Sequence, residues 1–517
     1  MPVARSNIAS ISVQNFKFFN QRETFQLNGD HLLLYGENGS GKSSLYWALY
    51  TLLECANKDD ANEIKKYFDP ADEDKLTNLF LLPANPDWID SEIKMLLQDG
   101  TDINVSFANT AINGNADAKA ANYATEFLNY KMLFRLHNFA HSDYINIFEY
   151  FEREVLPYVK FSPVKYWTKN DDGTPNVEKT TENAKEIWDF VKKGPPKTGK
   201  MPDGIRPRYP KRVEAEFDTY KNIVEGFKNE LEQLLTFINT QGNPILQTDF
   251  QYDFTFKLEL EESKPLRLSD LQFDYPQFAV KLTVTLFHGK PGVLKPHTFL
   301  NEARLSALGL ALRFALLQKR LQDSKLKMTI LDDFMISLDM KNRDVAMDYI
   351  LDKVAPHYQL LILTHDRFLY ELASDKIIRK GQANWKRYQM FEDEDTPPTK
   401  IFPLVVEDKG LLNKARALYK RREYALSANQ LRVAAEKFCS KYLDPPEKIG
   451  GDYKPLNLNG MMGRTIAKAT TTGINAGLLA DLQNYRQRIM NPGSHYDIES
   501  PLFPNELIKA IETMEAL

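Results

Sequence analysis

Between residues 36 and 43 the chain reads Gly36-Glu-Asn-Gly-Ser-Gly-Lys42-Ser43, which satisfies the spacing G-x-x-x-x-G-K-[ST] without a gap. Each residue type answers a need of phosphate binding. Gly36, Gly39 and Gly41 carry no Cβ, so the backbone N–H groups from Asn38 through Ser40 to Ser43 can close on phosphate oxygens. A helix starting at this point adds the positive potential of its N-terminus. Lys42 supplies a point charge for the β- and γ-phosphates, and the Ser43 hydroxyl is a ligand for Mg2+. The motif therefore predicts a nucleoside triphosphate site.

Two further polar sites fall at the ends of apolar runs. Met328-Thr-Ile-Leu331 ends in Asp332-Asp333, which places two carboxylates at the C-terminal end of a strand, where α/β sheets put their ligands. Asp332 suits Mg2+, and Asp333 is then the carboxylate that orients or deprotonates an attacking water. Gln359-Leu-Leu-Ile-Leu-Thr364 ends in His365-Asp366, so an imidazole also sits at a strand end. An Asp-Asp pair alone is an ordinary acidic turn, and a lone histidine is mostly structural. Three strand-end polar sites on one αβ core, one of them a phosphate loop, favour a catalytic reading.

Other groups are less specific. Lys192 to Arg212 is rich in proline and glycine and carries eight basic residues against one acid, Asp203. It reads as a loop, and Lys197, Lys200, Arg206 and Arg208 in it are candidates to contact a nucleic-acid backbone, a solvated linker being the plain alternative. Arg432 and Glu436 stand at i, i+4 on one helix face, and Arg488 and His495 flank Asn491-Pro492. Taken alone, these are an ion pair on a helix and a capping histidine.

The elements that must position these residues can be read from periodicity. Ile8 to Phe25 alternates, and His31-Leu-Leu-Leu-Tyr35 is a buried strand running straight into the phosphate loop and a helix. From Thr51 to Ala121 the sequence is polar and irregular. From Tyr123 to Thr240 the spacing is helical, with Phe148, Phe151 and Leu156, and later Tyr220, Ile223, Phe227, Leu231 and Leu234, on one face. Strand character returns at Phe254–Leu260 and Phe278–Leu286, and a second αβ set runs to about residue 404. The expected fold is α/β in four parts. Residues 1–121 form an N-terminal lobe, 122–246 a helical insertion or short arm, 247–404 a second lobe, and 405–517 a helical C-terminal domain.

Composition narrows the classes. The chain has 517 residues, 43% hydrophobic and 26% charged, enough for a substantial core in several domains. No stretch approaches the ~20 apolar residues of a membrane span and the start lacks the apolar core of a signal peptide, so a cytoplasmic protein with no membrane partner is expected. Two cysteines, Cys55 and Cys439, make neither a disulfide framework nor a four-cysteine zinc site and are expected to be buried packing residues. A net charge of −4 gives no global attraction to nucleic acid, so any such contact must come from a local patch.

The order of these motifs resembles the ABC/SMC/RecF ATPases, over about half the chain. Gly36 to Ser44 takes the place of Walker A, Ile330-Leu-Asp-Asp333 of Walker B, Ser337-Leu338-Asp339 of the D-loop, and Leu363-Thr-His365 of the switch histidine. Phe299-Leu-Asn-Glu-Ala-Arg-Leu-Ser-Ala-Leu-Gly-Leu310 occupies the signature position, with Asn301 where the family usually has serine. The resemblance implies an ABC-type P-loop ATPase head that uses ATP and Mg2+. It assigns catalytic roles to Lys42, Asp333 and His365, nucleotide contacts to Gly36, Asn38, Gly39, Ser40, Gly41, Lys42, Ser43, Ser44, Asn301 and Asp339, and Mg2+ to Ser43 and Asp332. It further implies a head-to-tail pair in which Asn301, whose amide can still donate, meets the γ-phosphate held by the other copy.

There are departures from the pattern. Asp333 is one methylene shorter than the family's glutamate, which implies slow hydrolysis or a nucleotide-gated clamp. Asn138 and His141 are candidates for a Q-loop residue and equally for solvated helix polars. Leu-Asn-Glu-Ala-Arg, the short insertion and the appended helical domain resemble the ATPases of the Septu and retron-associated anti-phage systems, which implies a partner nuclease of HNH type. Arg432, Glu436, Arg488 and His495 together resemble the Arg/Glu/His set of HEPN-type ribonuclease domains fused to ATPases. That alternative implies a self-contained, ATP-regulated ribonuclease in which histidine is the acid/base and arginine holds the phosphate. A DNA-repair role is a third reading. It implies long arms, which this chain lacks.

Overall fold

The computed structural model describes all residues except 1–3, 59, 81–88, 137–138, 141–142, 170–174, 195–208, 215–216, 263–265, 268–271, 274–276, 291, 393–402, 409, 452 and 491–503. Two compact units are present, Met1–Val406 and Glu407–Leu517.

The larger unit is α/β. Its strands are β1 (Ile8–Gln14), β2 (Glu23–Gln26), β3 (His31–Gly36), β4 (Glu92–Leu97), β5 (Asp102–Ser106), β6 (Glu126–Asn129), β7 (Lys160–Lys169), β8 (Pro175–Asn183), β9 (Phe254–Glu262), β10 (Leu266–Arg267), β11 (Gln272–Phe273), β12 (Phe278–Phe287), β13 (Met328–Asp332), β14 (Gln359–Thr364), β15 (Trp385–Glu392) and β16 (Pro403–Glu407). A six-stranded sheet has the order β16-β15-β3-β14-β13-β6, and its pairs from β15 through to β6 are parallel. A four-stranded antiparallel sheet has the order β2-β1-β4-β5. β9 and β12 pair antiparallel, as do β7 and β8.

The apolar runs at the centre of the parallel sheet are buried on both faces, as parallel strands require. Alternate residues belong to different cores. Leu32, Leu34, Met328, Ile330, Leu361 and Leu363 face a core shared with the antiparallel sheet and with the helix Lys42–Cys55. Leu33, Leu331, Leu360 and Ile362 face the other core, shared with the helix Glu302–Leu317. That helix is buried on nearly every face.

Two expectations need correction. Residues 51–121 are not irregular: β4 and β5 alternate Ile93, Met95, Leu97 and Ile103, Val105 into the core, and Ala116–Ala124 is helical. Residues 122–246 are not wholly helical either. β6 inserts into the parallel sheet beside β13, and β7 with β8 forms a hairpin. The 28-residue helix Phe217–Pro244 carries the expected face of Tyr220, Ile223, Phe227, Leu231 and Leu234, all buried. Its Asn239 and Asn243 side chains each exchange two hydrogen bonds with backbone of β9, at Leu258 and Phe256, which covers that strand edge.

The smaller unit is helical, with Tyr424–Tyr442 as its longest helix and Leu431, Ala435, Cys439, Leu482 and Ile511 in its core. Both cysteines are free and buried. No described helix is long and apolar enough to cross a membrane.

Candidate nucleotide site at the strand ends

Parallel pairing is what brings the three polar sites together. Thr364 of β14 is level with Tyr35 of β3, and Asp332 of β13 is level with Leu363 of β14 and with Asn129 of β6. The phosphate loop, the histidine loop and the acidic pair therefore leave adjacent strands at one edge of the sheet.

The loop from Gly36 is shaped by its glycines. A Cβ on Gly36 would lie 2.5 Å from Ser40 Oγ and 3.1 Å from Met390 O, so no side chain fits there. Gly41 has φ 101° and precedes the helix Lys42–Cys55 with no side chain capping that helix. Ser44 N–H and Leu45 N–H donate to Gly41 O at 2.9 and 3.3 Å, so the helix start offers a ligand the N–H groups of Lys42 and Ser43, as phosphate binding needs. Asn38 and Gly39 are exposed, whereas Ser40 is buried. The Lys42 ammonium donates to Glu37 O at 2.9 Å, and burial pushes its pKa down against the pull of Asp333, Asp332 and Glu37. Phe18 N–H donates to Ser44 Oγ at 3.4 Å, so the turn after β1 backs the loop.

Ser43 Oγ donates to Asp332 Oδ2 at 3.2 Å, while Asp332 Oδ1 is buried without a hydrogen-bond partner. Burial, and then the charge of Asp333, push the Asp332 carboxyl up to about 7. A hydroxyl beside a buried, underused carboxylate suits a hard dication that keeps some of its waters, so these residues fit Mg2+. Asp333 has φ 50°, a left-handed conformation unusual for a residue with a side chain. Its N–H donates to Leu363 O at 3.0 Å, and its Oδ1 accepts from His365 N–H at 2.9 Å. Its Oδ2 lies 2.8 Å from His365 Nδ1.

Asn301 and Asp339 stand apart from this cluster. Asn301 caps the helix Glu302–Leu317 through Arg304 N–H at 3.0 Å, and Asp339 caps Met340–Tyr349 through Asn342 N–H at 2.9 Å. Among the described residues neither bonds to Lys42, Asp332, Asp333 or His365. Ser337 Oγ donates to Ser306 Oγ at 2.6 Å, which joins the two segments.

One residue of the site has no signature in the sequence. Asn129 ends β6 level with Asp332; its Nδ2 donates to Tyr46 Oη at 3.2 Å, and its Oδ1 caps the helix Tyr130–Arg135. Only the register reveals it. Asn138, His141, His495, Lys197, Lys200, Arg206 and Arg208 lie outside the described residues. In the smaller unit Arg432 Nε pairs with Glu436 Oε1 at 3.0 Å, and Arg488 Nη1 lies 3.5 Å from Glu506 Oε1.

The family model for the P-loop containing region of an AAA domain matches residues 8–66. No curated protein matches the chain. Among solved structures, an Smc head domain with an extended coiled coil bound to the C-terminal domain of ScpA, from Pyrococcus furiosus, is 13% identical at a TM-score of 0.38, over 81% of this chain and 100% of that one. An SmcHead bound to the C-winged helix domain of ScpA is 10% identical at 0.38, over 78% and 98%. An SMC head domain from Thermotoga maritima is 13% identical at 0.32, over 78% and 99%. The chain carries a P-loop nucleotide-binding region.

Proposed function

We propose that this chain is an ABC/SMC-type ATPase that binds ATP with Mg2+ and closes head to tail with a second copy. The reading rests on one observation: Lys42, Ser43, Asp332, Asp333 and His365 converge where adjacent parallel strands end. The loop N–H groups and Lys42 bind the phosphates. Ser43 and Asp332 hold Mg2+, which when bound offsets charge on the phosphates. Asp333 accepts the proton of the attacking water, and His365, whose backbone N–H donates to one oxygen of Asp333 while its Nδ1 lies close to the other, stands beside the water and the γ-phosphate. Asn301 and Asp339, set apart at two helix starts, serve the site of the second copy.

Lys42→Ala tests this reading directly. The variant loses ATP binding or turnover, because it removes the point charge on the β- and γ-phosphates. Turnover near that of the unsubstituted chain sinks the assignment.

We further propose that the clamp works in the cytoplasm as the sensor of an anti-phage complex and controls a separate HNH-type nuclease. Leu-Asn-Glu-Ala-Arg and the appended helical unit support this reading. The test is a neighbouring gene for such a nuclease whose product co-purifies with this chain and cleaves only when Lys42 is intact. Cleavage indifferent to Lys42→Ala argues against control by the clamp.

A further inference from the structure

Arg343 lies on the first turn of the helix Met340–Tyr349, four residues past Asp339, and its guanidinium reaches three places. Nε donates to Met335 O at 3.0 Å, Nη2 donates to Ile336 O at 3.1 Å, and Nη1 pairs with the Asp366 carboxylate. The two carbonyls belong to the loop between Asp333 and Asp339. Asp366 directly follows His365, and its Oδ1 caps the helix Arg367–Arg379 through the N–H groups of Phe368 and Leu369, at 2.9 and 3.2 Å. One planar cation thus spans the loop after the acidic pair and the loop after the histidine.

The same two helices are joined further along by lysines: Lys376 pairs with Asp344 and Asp348, and Lys380 with Asp348 and Asp352. Those pairs involve aspartates that are 40–49% exposed, and pairs with so exposed a partner contribute little. Arg343 differs in its partner and its shape: Asp366 is 24% exposed, against 40–49% for those aspartates, and the planar fork fixes direction as well as charge. On the strand side Asp333 is already held by Leu363 O and by His365 N–H. Arg343 closes the ring on the other side.

We propose that Arg343 is a positioning residue for ATP hydrolysis, holding the segment Asp333–Asp339 and the pair His365-Asp366 as one piece, so that Asp333 and His365 reach working geometry together with the seating of Asp339. The proposal rests on the ATPase reading above. A small displacement of reacting groups is enough to lower a rate strongly without weakening binding.

The test compares Arg343→Ala, Arg343→Lys, Asp366→Asn and the double variant Arg343→Ala/Asp366→Asn. Asparagine is as good an N-cap as aspartate, so Asp366→Asn removes the charge while keeping the helix start. Each of the three single substitutions lowers kcat, Arg343→Ala and Asp366→Asn by about tenfold or more, with the ATP dissociation constant and Tm close to the parent values. Arg343→Lys restores only part of the loss, since an ammonium cannot serve both carbonyls and Asp366 with a fork. The double variant is no worse than Arg343→Ala, because both substitutions break the same link. A kcat unchanged in Arg343→Ala, an additive double variant, or a fall in affinity and Tm in step with kcat overturns the proposal.

If the unsubstituted chain turns over no ATP, the ATPase reading fails, and the link itself is read by amide exchange. Leu338 N–H bonds to Met335 O, the carbonyl that Arg343 also holds. Asp366→Asn must then speed exchange at Leu338, a residue on the other loop. Unchanged protection there overturns the link.

Discussion

Asp333 and His365 meet at two points: the His365 backbone N–H donates to Asp333 Oδ1 at 2.9 Å, and Nδ1 lies 2.8 Å from Oδ2 outside hydrogen-bond geometry, from a backbone turned left-handed at Asp333.

Asp333→Asn separates the proton-accepting role from the shape of this turn. Asparagine tolerates the left-handed region and can still accept from His365 N–H, so the loop keeps its form. The amide cannot take up a proton. ATP turnover therefore falls by about a hundredfold or more while the ATP dissociation constant stays close to the parent's. The ATP-bound assembly lives longer, and size-exclusion chromatography with ATP shows a larger species. Turnover within a few-fold of the parent removes Asp333 from the reaction.

Local signals make half of this site legible. Gly36 to Ser43 is contiguous, and the runs ending at Asp332 and Thr364 announce themselves as buried strands. Their meeting is set by register: Asp333 touches His365 because β13 and β14 pair in parallel with Asp332 level with Leu363. Asn129 and Arg343 are illegible for the same reason, as each acts on a residue distant in sequence. β6 is four residues long, too short for a period to show, so its residues blend into the helical spacing around them. Arg313 hides in an apolar helix because its charge is met inside the fold, by Glu126, Tyr150 Oη and the carbonyls of Glu154 and Phe127.

A second prediction concerns acid stability. His31 is buried, its Nδ1 accepts from Leu360 N–H at 2.9 Å, and its ring packs on Trp385, with centroids 4.7 Å apart. Burial pushes its pKa down to about 4. The unfolded chain titrates near the ordinary value of 6.5, so below that pH it binds a proton that the folded chain refuses. The stability is fully present above 6.5, falls through that window and is lost towards pH 4. At pH 5 the loss amounts to about 2 kcal/mol relative to pH 7.5. All five tryptophans precede residue 406, so fluorescence-monitored urea unfolding follows the larger unit. His31→Gln, which keeps an acceptor for Leu360 N–H, flattens that part of the pH dependence. Equal slopes for the two proteins refute the assignment.

The basic stretch within 192–212 gives a third. If it binds a phosphate backbone, replacing Lys197, Lys200, Arg206 and Arg208 by glutamine weakens nucleic-acid binding and reduces the slope of log K against log salt by about one for each phosphate that is no longer neutralised. An unchanged slope identifies the stretch as a linker.

The last prediction decides between a docking unit and a nuclease in residues 407–517. A metal-free ribonuclease needs a histidine free to shuttle a proton and an arginine free to hold the phosphate. Arg432 closes on Glu436 one turn along its own helix, and Arg488, itself largely exposed, pairs with Glu506, an arrangement that supports docking. The i, i+4 pair with Glu436 itself contributes only about 0.2–0.5 kcal/mol, and the thermal unfolding of Arg432→Ala is measured alongside, so that a loss of fold is told apart from a loss of chemistry. Purified protein, without a partner, is incubated with ATP and total tRNA. The expected result is intact tRNA, with ATP turnover in Arg432→Ala and His495→Ala equal to the parent's. Specific cleavage that disappears in both variants while ATP turnover persists would reverse the reading and make this chain the nuclease itself.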